Sequence, residues 1–579
     1  MNQNESFPRP EYPRPQMVRK GWLNLNGRWE FELDPGLSGE ERHFQLAKPF
    51  SRTIIVPFCP ESSLSGIGEK DFIPCIWYRR SFVLPEEWKG RRVLLHFGAV
   101  DYEANVWVNG RLAGTHRGGY SSFFLEITHF LKKGKNYIVV RAVDDTRSSL
   151  QPSGKQSTKF ESYGCYYSRV TGIWQTVWLE AVPSTYLRWF RLYPDPAQGK
   201  LTVHAGVGGD AERFVLRSRV FASGKKVGEE SASACDPTAS TIKLSEVHLW
   251  EPKDPFLYEL EFSLEKDGNQ VDLVKSYFGL RKVHLQGKKV LINNKPVFQR
   301  LVLDQGYYPD GIYTAPTDEA LKRDIQFSMK MGFNGARLHE KVFEPRFIYW
   351  ADRLGYLVWG EYPNWGLDHS HPAVLERVLA EWIEVLERDF NHPSIIGWCP
   401  FNETPQNQDP ELIRIIYQTT KLIDPTRPVI DTSGYHHIET DIYDCHNYEQ
   451  DPEKFIALFK TFKKDKEPWR NNPEHQTPYQ GQPYFVSEYG GTWWNPSQKD
   501  DKAWGYGNKK RPRTKEEFLE RYGKLTEALL FHPKISGFCY TQLYDVEQEV
   551  NGLYTYDRRP KFDPAPIKKI NSQKATIER

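Results

Sequence analysis

Five carboxylates, Glu340, Glu361, Glu403, Asp431 and Glu488, stand at or just past the ends of short apolar runs. Glu403 closes IIGWCPFNE directly after Asn402, and Glu488 closes PYFVSE ahead of YGG. A carboxylate placed where a buried strand gives way to a loop can meet a substrate while a rigid element holds it. Two such groups facing one another suit cleavage of a glycosidic bond. One protonates the leaving oxygen, and the other attacks the anomeric carbon. At about 5–5.5 Å apart they leave no room for an intervening water, and the sugar keeps its configuration through a covalent intermediate. A single glutamate at a strand end is more often an ion-pair partner than a catalyst; the matched pair is what points to chemistry.

The elements that would position this pair are written in the periodicity. Thr317 caps a helix with Leu321, Ile325 and Met329 on one face, Gly332 ends it, and Phe333–Leu338 follows as a strand. Pro345 opens a second helix closed by Gly355, ahead of a strand at Tyr356–Gly360. A longer helix over Ala373–Phe390 stops at Asn391 and Pro393 before the strand Ser394–Trp398. A helix at Leu412–Ile423 and strands at Pro428–Asp431, Asp441–Cys445, Tyr484–Ser487 and Ile535–Thr541 continue the alternation. That pattern predicts a (β/α)8 barrel over residues 284–579. Upstream, short strands such as Arg91–Phe97, Ala104–Val108, Tyr137–Val143 and Trp174–Leu179, with Asn109-Gly110 as a hairpin turn, predict a β-sandwich over 1–183. Residues 184–283 read as a smaller, immunoglobulin-like β-sandwich.

Composition excludes several classes. Formal net charge is +2 and no extended basic stretch occurs, which argues against a nucleic-acid partner. No run of about 18 apolar residues suggests a membrane span. The N-terminal stretch MNQNESFPRPEYPRPQ is polar and Pro-rich, unlike a secretory signal. A cytoplasmic location is therefore expected. The 7 cysteines are scattered and odd in number, which opposes a disulfide framework or a zinc knuckle. His369, His371, His436, His437 and His446 lack metalloenzyme spacing, so neither metal nor cofactor is expected.

The chain resembles the family 2 glycoside hydrolases, which include β-galactosidases, β-glucuronidases and β-mannosidases. The resemblance rests on WYRRSFVLP (77–85), HFGAVDYEANVWVNG (96–110), SRVTGIWQTVWLE (168–180), LWEPKDPFLYEL (249–260), FGLRKV (278–283), MGFNGARLH (331–339), HPSIIGWCPFNE (392–403), PYFVSEYGG (483–491) and LYTYDRRPK (553–561), in that order. It implies an N-terminal jelly-roll domain, an immunoglobulin-like domain and a catalytic TIM barrel. It also implies Glu403 as acid/base after the fourth strand and Glu488 as nucleophile after the seventh. Asn402 would bond the sugar 2-hydroxyl, Arg337 would hold the nucleophile ionised, and Tyr448 would donate to it. Glu403 would need surroundings that keep it protonated near neutral pH. His339, His446, Trp365, Trp493 and Tyr540 are candidate pocket walls.

Three departures bear on the substrate. Tyr166 stands six residues before Gly172, where well-known subgroups carry an aspartate. No lysine follows Asn551 to complete the Asn-x-Lys that reads a substrate carboxylate in the β-glucuronidases; an Asn508-Lys509-Lys510 run lies in another loop. Arg337-Leu338-His339-Glu340 shifts the family's histidine by one position. The leading expectation is a retaining exo-β-glycosidase of β-galactosidase type acting on terminal non-reducing sugars. The alternatives are a glycosidase for an acidic sugar (β-glucuronidase or β-galacturonidase) or a plant-glycan side chain, a transglycosylase, and a non-catalytic carbohydrate-binding protein. The expected partner is a glycoside, and homo-oligomerisation is left open.

Overall fold

The computed structural model describes residues 7–46, 48–463, 466–495, 503–507 and 510–579. Asn508 and Lys509 of the basic run lie outside the described residues.

The N-terminal part is a jelly-roll sandwich of antiparallel strands. A six-stranded sheet runs in the order Arg52–Val56, Gly27–Leu33, Cys75–Val83, Lys135–Val143, Glu103–Val108, Arg111–Arg117. A four-stranded sheet of Trp22–Asn24, Val177–Val182, Arg92–Phe97 and Phe123–Glu126 covers it. Val108 pairs with Arg111 across Asn109 and Gly110, whose φ angles of 52° and 81° are those a two-residue primed turn demands. The next sandwich is immunoglobulin-like, with three- and four-stranded sheets. Its strand Phe214–Ala222 alternates strictly between buried and half-buried positions, as expected of a strand with one face in a core.

The third part is the barrel. Its strands are β1 (Gln299–Asp304), β2 (Gly335–Leu338), β3 (Leu357–Glu361), β4 (Ile395–Cys399), β5 (Thr432–Ser433), β6 (Tyr443–Asn447), β7 (Tyr484–Gly490) and β8 (Ile535–Thr541). Parallel ladders join β4-β3-β2-β1-β8-β7-β6, closing β1 onto β8. A bridge from Trp398 to Val429, and pairing of Phe401–Asn402 with β5, carry the sheet onward from β4. Helices α1 (Asp318–Lys330), α2 (Pro345–Leu354) and α3 (Ala373–Asp389) keep the predicted caps and stops. The Thr317 side chain accepts from Ala320 N, and Gly355 takes the left-handed C-cap at φ 71°.

Two elements differ from expectation. β1 went unmarked because all six of its residues are buried, which erases alternation. The strand expected at Pro428–Asp431 shrinks to the Val429 bridge and Thr432–Ser433. Its backbone is diverted into local turns, where the Asp431 carboxylate accepts from the amides of Thr432, Ile438 and Glu439. Among the described residues no helix is long and apolar enough to cross a membrane.

A loop of the jelly-roll domain is seated on the barrel. Ser153 N and Gly154 N both donate to Trp365 O, at 2.8 and 3.1 Å. Farther along the loop, Gln548 Nε2 donates to Tyr166 O at 3.0 Å, and the Tyr167 hydroxyl donates to Glu549.

Candidate active site

Side-chain direction along the barrel strands decides who meets whom. Arg337 points inward from β2 and is buried. Its Nη1 donates to Glu488 Oε1 at 3.1 Å and to Ser487 O at 2.9 Å, its Nη2 to Asn402 Oδ1 at 3.0 Å, and its Nε to Glu361 Oε1 at 2.5 Å. One guanidinium thus ties together the ends of β2, β3, β4 and β7. The Tyr448 hydroxyl donates to the other oxygen of Glu488 and lies 3.0 Å from Thr541 Oγ1. Burial and the charge of Glu488 hold the Tyr448 pKa well above its ordinary value, so it stays a neutral donor. Its ring stacks on Tyr506 with centroids 3.5 Å apart.

Glu403 sits opposite, just after the pairing of Phe401–Asn402 with β5. Its amide donates to Ser433 O at 2.9 Å, and its φ of +48° places a residue with a Cβ in the left-handed region. Such a conformation persists only where surrounding contacts impose it. His446 of β6 lies between the two glutamates, with Nδ1 2.6 Å from Glu403 Oε1 and Nε2 3.5 Å from Glu488 Oε1. One ligand atom from each of the three residues can be chosen such that all lie within 4.8 Å of one another.

Proton accounting shows what His446 carries. The Ser433 hydroxyl donates to Asp444 Oδ2 at 2.7 Å, so toward His446 Nε2, 2.9 Å away, it accepts. Nε2 therefore carries hydrogen, and a proton lies on the 2.6 Å contact that Nδ1 shares with Glu403. The electrostatics agree. Burial disfavours the charge of His446, but Glu488 and the hydrogen bond to Glu403 raise its pKa. Burial likewise pushes Glu403 up, yet His446 and the more distant Lys155 bring it below the ordinary carboxylate range. Burial favours the protonated Glu403 that its role requires, while His446 and Lys155 act in the opposite direction, so Glu403 shares a proton contact with His446. Behind this group, His437 bridges Asp431 and Asp444 at 2.7 and 2.9 Å. Although burial opposes its charge, the two aspartates push its pKa up to about 10.

The other predicted residues separate. Asn402 Oδ1 is taken by Arg337, while its Nδ2 is buried with no hydrogen-bond partner among the described residues. Such an orphan donor calls for a ligand or water partner. Trp365 forms part of the wall: its Nε1 donates to Asn402 O at 3.3 Å, and its ring leans on Tyr166 at 5.2 Å. His339 lies beneath the pocket, with Nδ1 3.0 Å from Glu361 Oε2, so it orients a partner of Arg337. Trp493 packs within its own loop against Gly505 and under the Arg511 guanidinium at 5.0 Å. Tyr540 is no pocket wall. Strand alternation turns Thr541 toward Tyr448 and Tyr540 to the opposite side, where it packs edge-to-face on Tyr489 and on Tyr522 of the helix Lys515–Leu530.

Sequence reasoning missed Tyr435, whose ring lies 5.9 Å from that of His446, as well as Tyr506 and Lys155. All three sit on loops, where no periodicity marks which side chain turns inward.

Comparison with known proteins accords with this geometry. The chain matches the sugar-binding domain of glycosyl hydrolases family 2 at residues 63–183, a further family 2 domain at 185–281 and the family's TIM barrel domain at 283–573. A β-glucuronidase of Paenibacillus borealis is 25% identical over 450 residues, covering 72% of this chain and 74% of that one. A β-glucuronidase of Bacteroides fragilis is 28% identical over 447 residues, covering 71% and 60%. The crystal structure of a Ruminococcus gnavus β-glucuronidase superimposes with a TM-score of 0.79 at 20% identity, covering 98% of this chain and 100% of that one. The chain belongs to glycoside hydrolase family 2 and is a retaining β-glycosidase.

Proposed function

We propose that the enzyme removes terminal, non-reducing β-linked uronic acids, with Glu488 as nucleophile and Glu403 as acid/base. One observation carries the residue roles. The carboxylates of Glu403 and Glu488 approach within 4.8 Å, the first on a titratable partner and the second on fixed donors. That spacing suits double displacement, not a water held between the two groups. The acidic sugar takes precedence over the galactoside expected at first, because the relatives described above are β-glucuronidases.

In this reading Glu488 attacks the anomeric carbon while the glycosidic oxygen takes a proton from Glu403. The 2.6 Å contact with His446 Nδ1 is where Glu403 exchanges that proton. A water then enters, loses its proton to Glu403, and displaces Glu488 by attacking the face that the aglycone left, opposite Glu488. Asn402 Nδ2 supplies a hydrogen bond to the sugar 2-hydroxyl, and Arg337 with Tyr448 stabilises Glu488 as leaving group in the second step.

A panel of 4-nitrophenyl β-glycosides tests the substrate class: glucuronide, galacturonide, galactoside, glucoside and mannoside. Expected is a uronide preferred by roughly 100-fold or more in kcat/KM over its neutral counterpart, lost in Glu488→Gln. Preference for the galactoside would restore the first expectation, and silence across the panel would favour a binding protein. Glu403, His446 and Glu488 also form a set that a divalent cation could ligate. The ligating nitrogen of His446 would have to give up its hydrogen bond for that, and turnover unchanged by a chelator would dismiss it.

A further inference from the structure

Resting on the uronic-acid reading, a further question is which group reads the sugar's own negative charge. Arg337 is committed to Glu361, Glu488, Ser487 and Asn402. The stretch after β8, Val546–Tyr556, contains no lysine or arginine; it places Glu549 and Asn551 there instead, hydrogen-bonded to one another at 2.8 Å.

Lys155 is different. It belongs to the jelly-roll loop and is only 5% exposed. The turn before it is built for close approach. Gly154 has φ +53°, and a Cβ at that position would stand 2.4 Å from Glu340 O, so only glycine lets the loop settle this deeply. Hydrogen bonds fix both flanks: Ser153 N and Gly154 N donate to Trp365 O, and Lys155 O accepts from Tyr167 N at 2.7 Å. The ammonium lies 3.5 Å from the centroid of the Trp365 ring, whose indole N–H is bonded to Asn402 O. Among the described residues no carboxylate comes within 4.0 Å of it and none of its contacts is a hydrogen bond, although Cys165, and after it Glu340, Glu403 and Glu488, act on its charge. A buried ammonium satisfied only by an aromatic face leaves its three N–H groups open to a ligand.

We infer that the Lys155 ammonium, delivered by the jelly-roll loop and steadied on Trp365, binds the carboxylate of a uronic acid held between Glu403 and Glu488. The sugar-binding domain would thereby set specificity for an active site whose reacting groups all come from the barrel. Lys155 would be a binding residue that leaves the chemistry to the two glutamates.

The test measures kcat/KM for 4-nitrophenyl β-D-glucuronide and β-D-galacturonide against the β-D-glucoside and β-D-galactoside, in the full-length protein and in Lys155→Met and Lys155→Arg. Expected is a fall of roughly 100-fold in the uronide-to-neutral ratio for Lys155→Met, the worth of one charge-assisted contact, with Lys155→Arg recovering part of it. Circular dichroism and the unfolding midpoint verify that each variant is folded. A wild-type uronide preference that survives in Lys155→Met overturns this inference while leaving the acidic-sugar reading intact. Equal losses on charged and neutral substrates also overturn it, and mark Lys155 as a tuner of Glu403 and Glu488. Absence of any uronide preference in the wild type overturns both readings.

Discussion

Glu488 and Glu403 come from the same barrel and face one pocket, but they are held in unlike ways. Glu488 is gripped by a guanidinium and by a tyrosine hydroxyl pushed above its usual titration range, neither of which changes charge near neutrality. Glu403 rests on His446, which is hydrogen-bonded onward through Ser433 to Asp444 and His437. Fixed donors hold and orient a nucleophile, whereas a titratable partner lets a carboxyl gain and lose a proton within one cycle.

The comparison can be broken from its nucleophile side first. Glu488→Gln should cost at least about 10^4-fold in kcat, as loss of a covalent nucleophile does elsewhere, with the unfolding midpoint nearly unchanged. Retained turnover would reverse the two assignments. Glu403→Ala should lose about 10^2- to 10^4-fold on poor leaving groups and far less on 2,4-dinitrophenyl glycosides, which depart without an acid. Azide should restore part of that loss by yielding a β-glycosyl azide, and an α product would contradict retention. A smaller effect is expected for Tyr448→Phe, about tenfold in kcat with KM little changed. A fall confined to KM would make Tyr448 a substrate contact instead of a support for Glu488.

The smallest effect concerns stability on the titratable side. His437 has a folded pKa of about 10, raised above its ordinary value by Asp431 and Asp444. Its stabilising contribution is therefore complete below pH ~6.5 and fades as pH climbs toward that folded value. His437→Gln leaves two buried aspartates without their cation and should cost about 3 kcal/mol near neutrality. The gap between wild-type and variant unfolding midpoints should be widest near pH 6 and narrow by pH 10. A gap independent of pH would mean that His437 contributes by packing alone.

Much of this arrangement was legible in local signals. Thr317, Gly332, Pro345 and Gly355 mark helix ends because caps and breakers act within a few residues. Glu403 and Glu488 stand out because the apolar runs before them identify strand ends. β1 was invisible because a fully buried strand has no alternation to show, and Tyr540 was misjudged because inward and outward positions differ by one residue.

By itself the sequence determined the order of two sandwiches and a barrel and the two strand-end glutamates, through periodicity and turn chemistry, which are short-range; Arg337 and Asn402 came from the resemblance of its motifs to the family. Only the tertiary structure decided that His446 stands between Glu403 and Glu488, and that a lysine from the first domain lies over Trp365 of the third. Charge, burial and pKa depend on every group within several ångströms, whatever its distance along the chain.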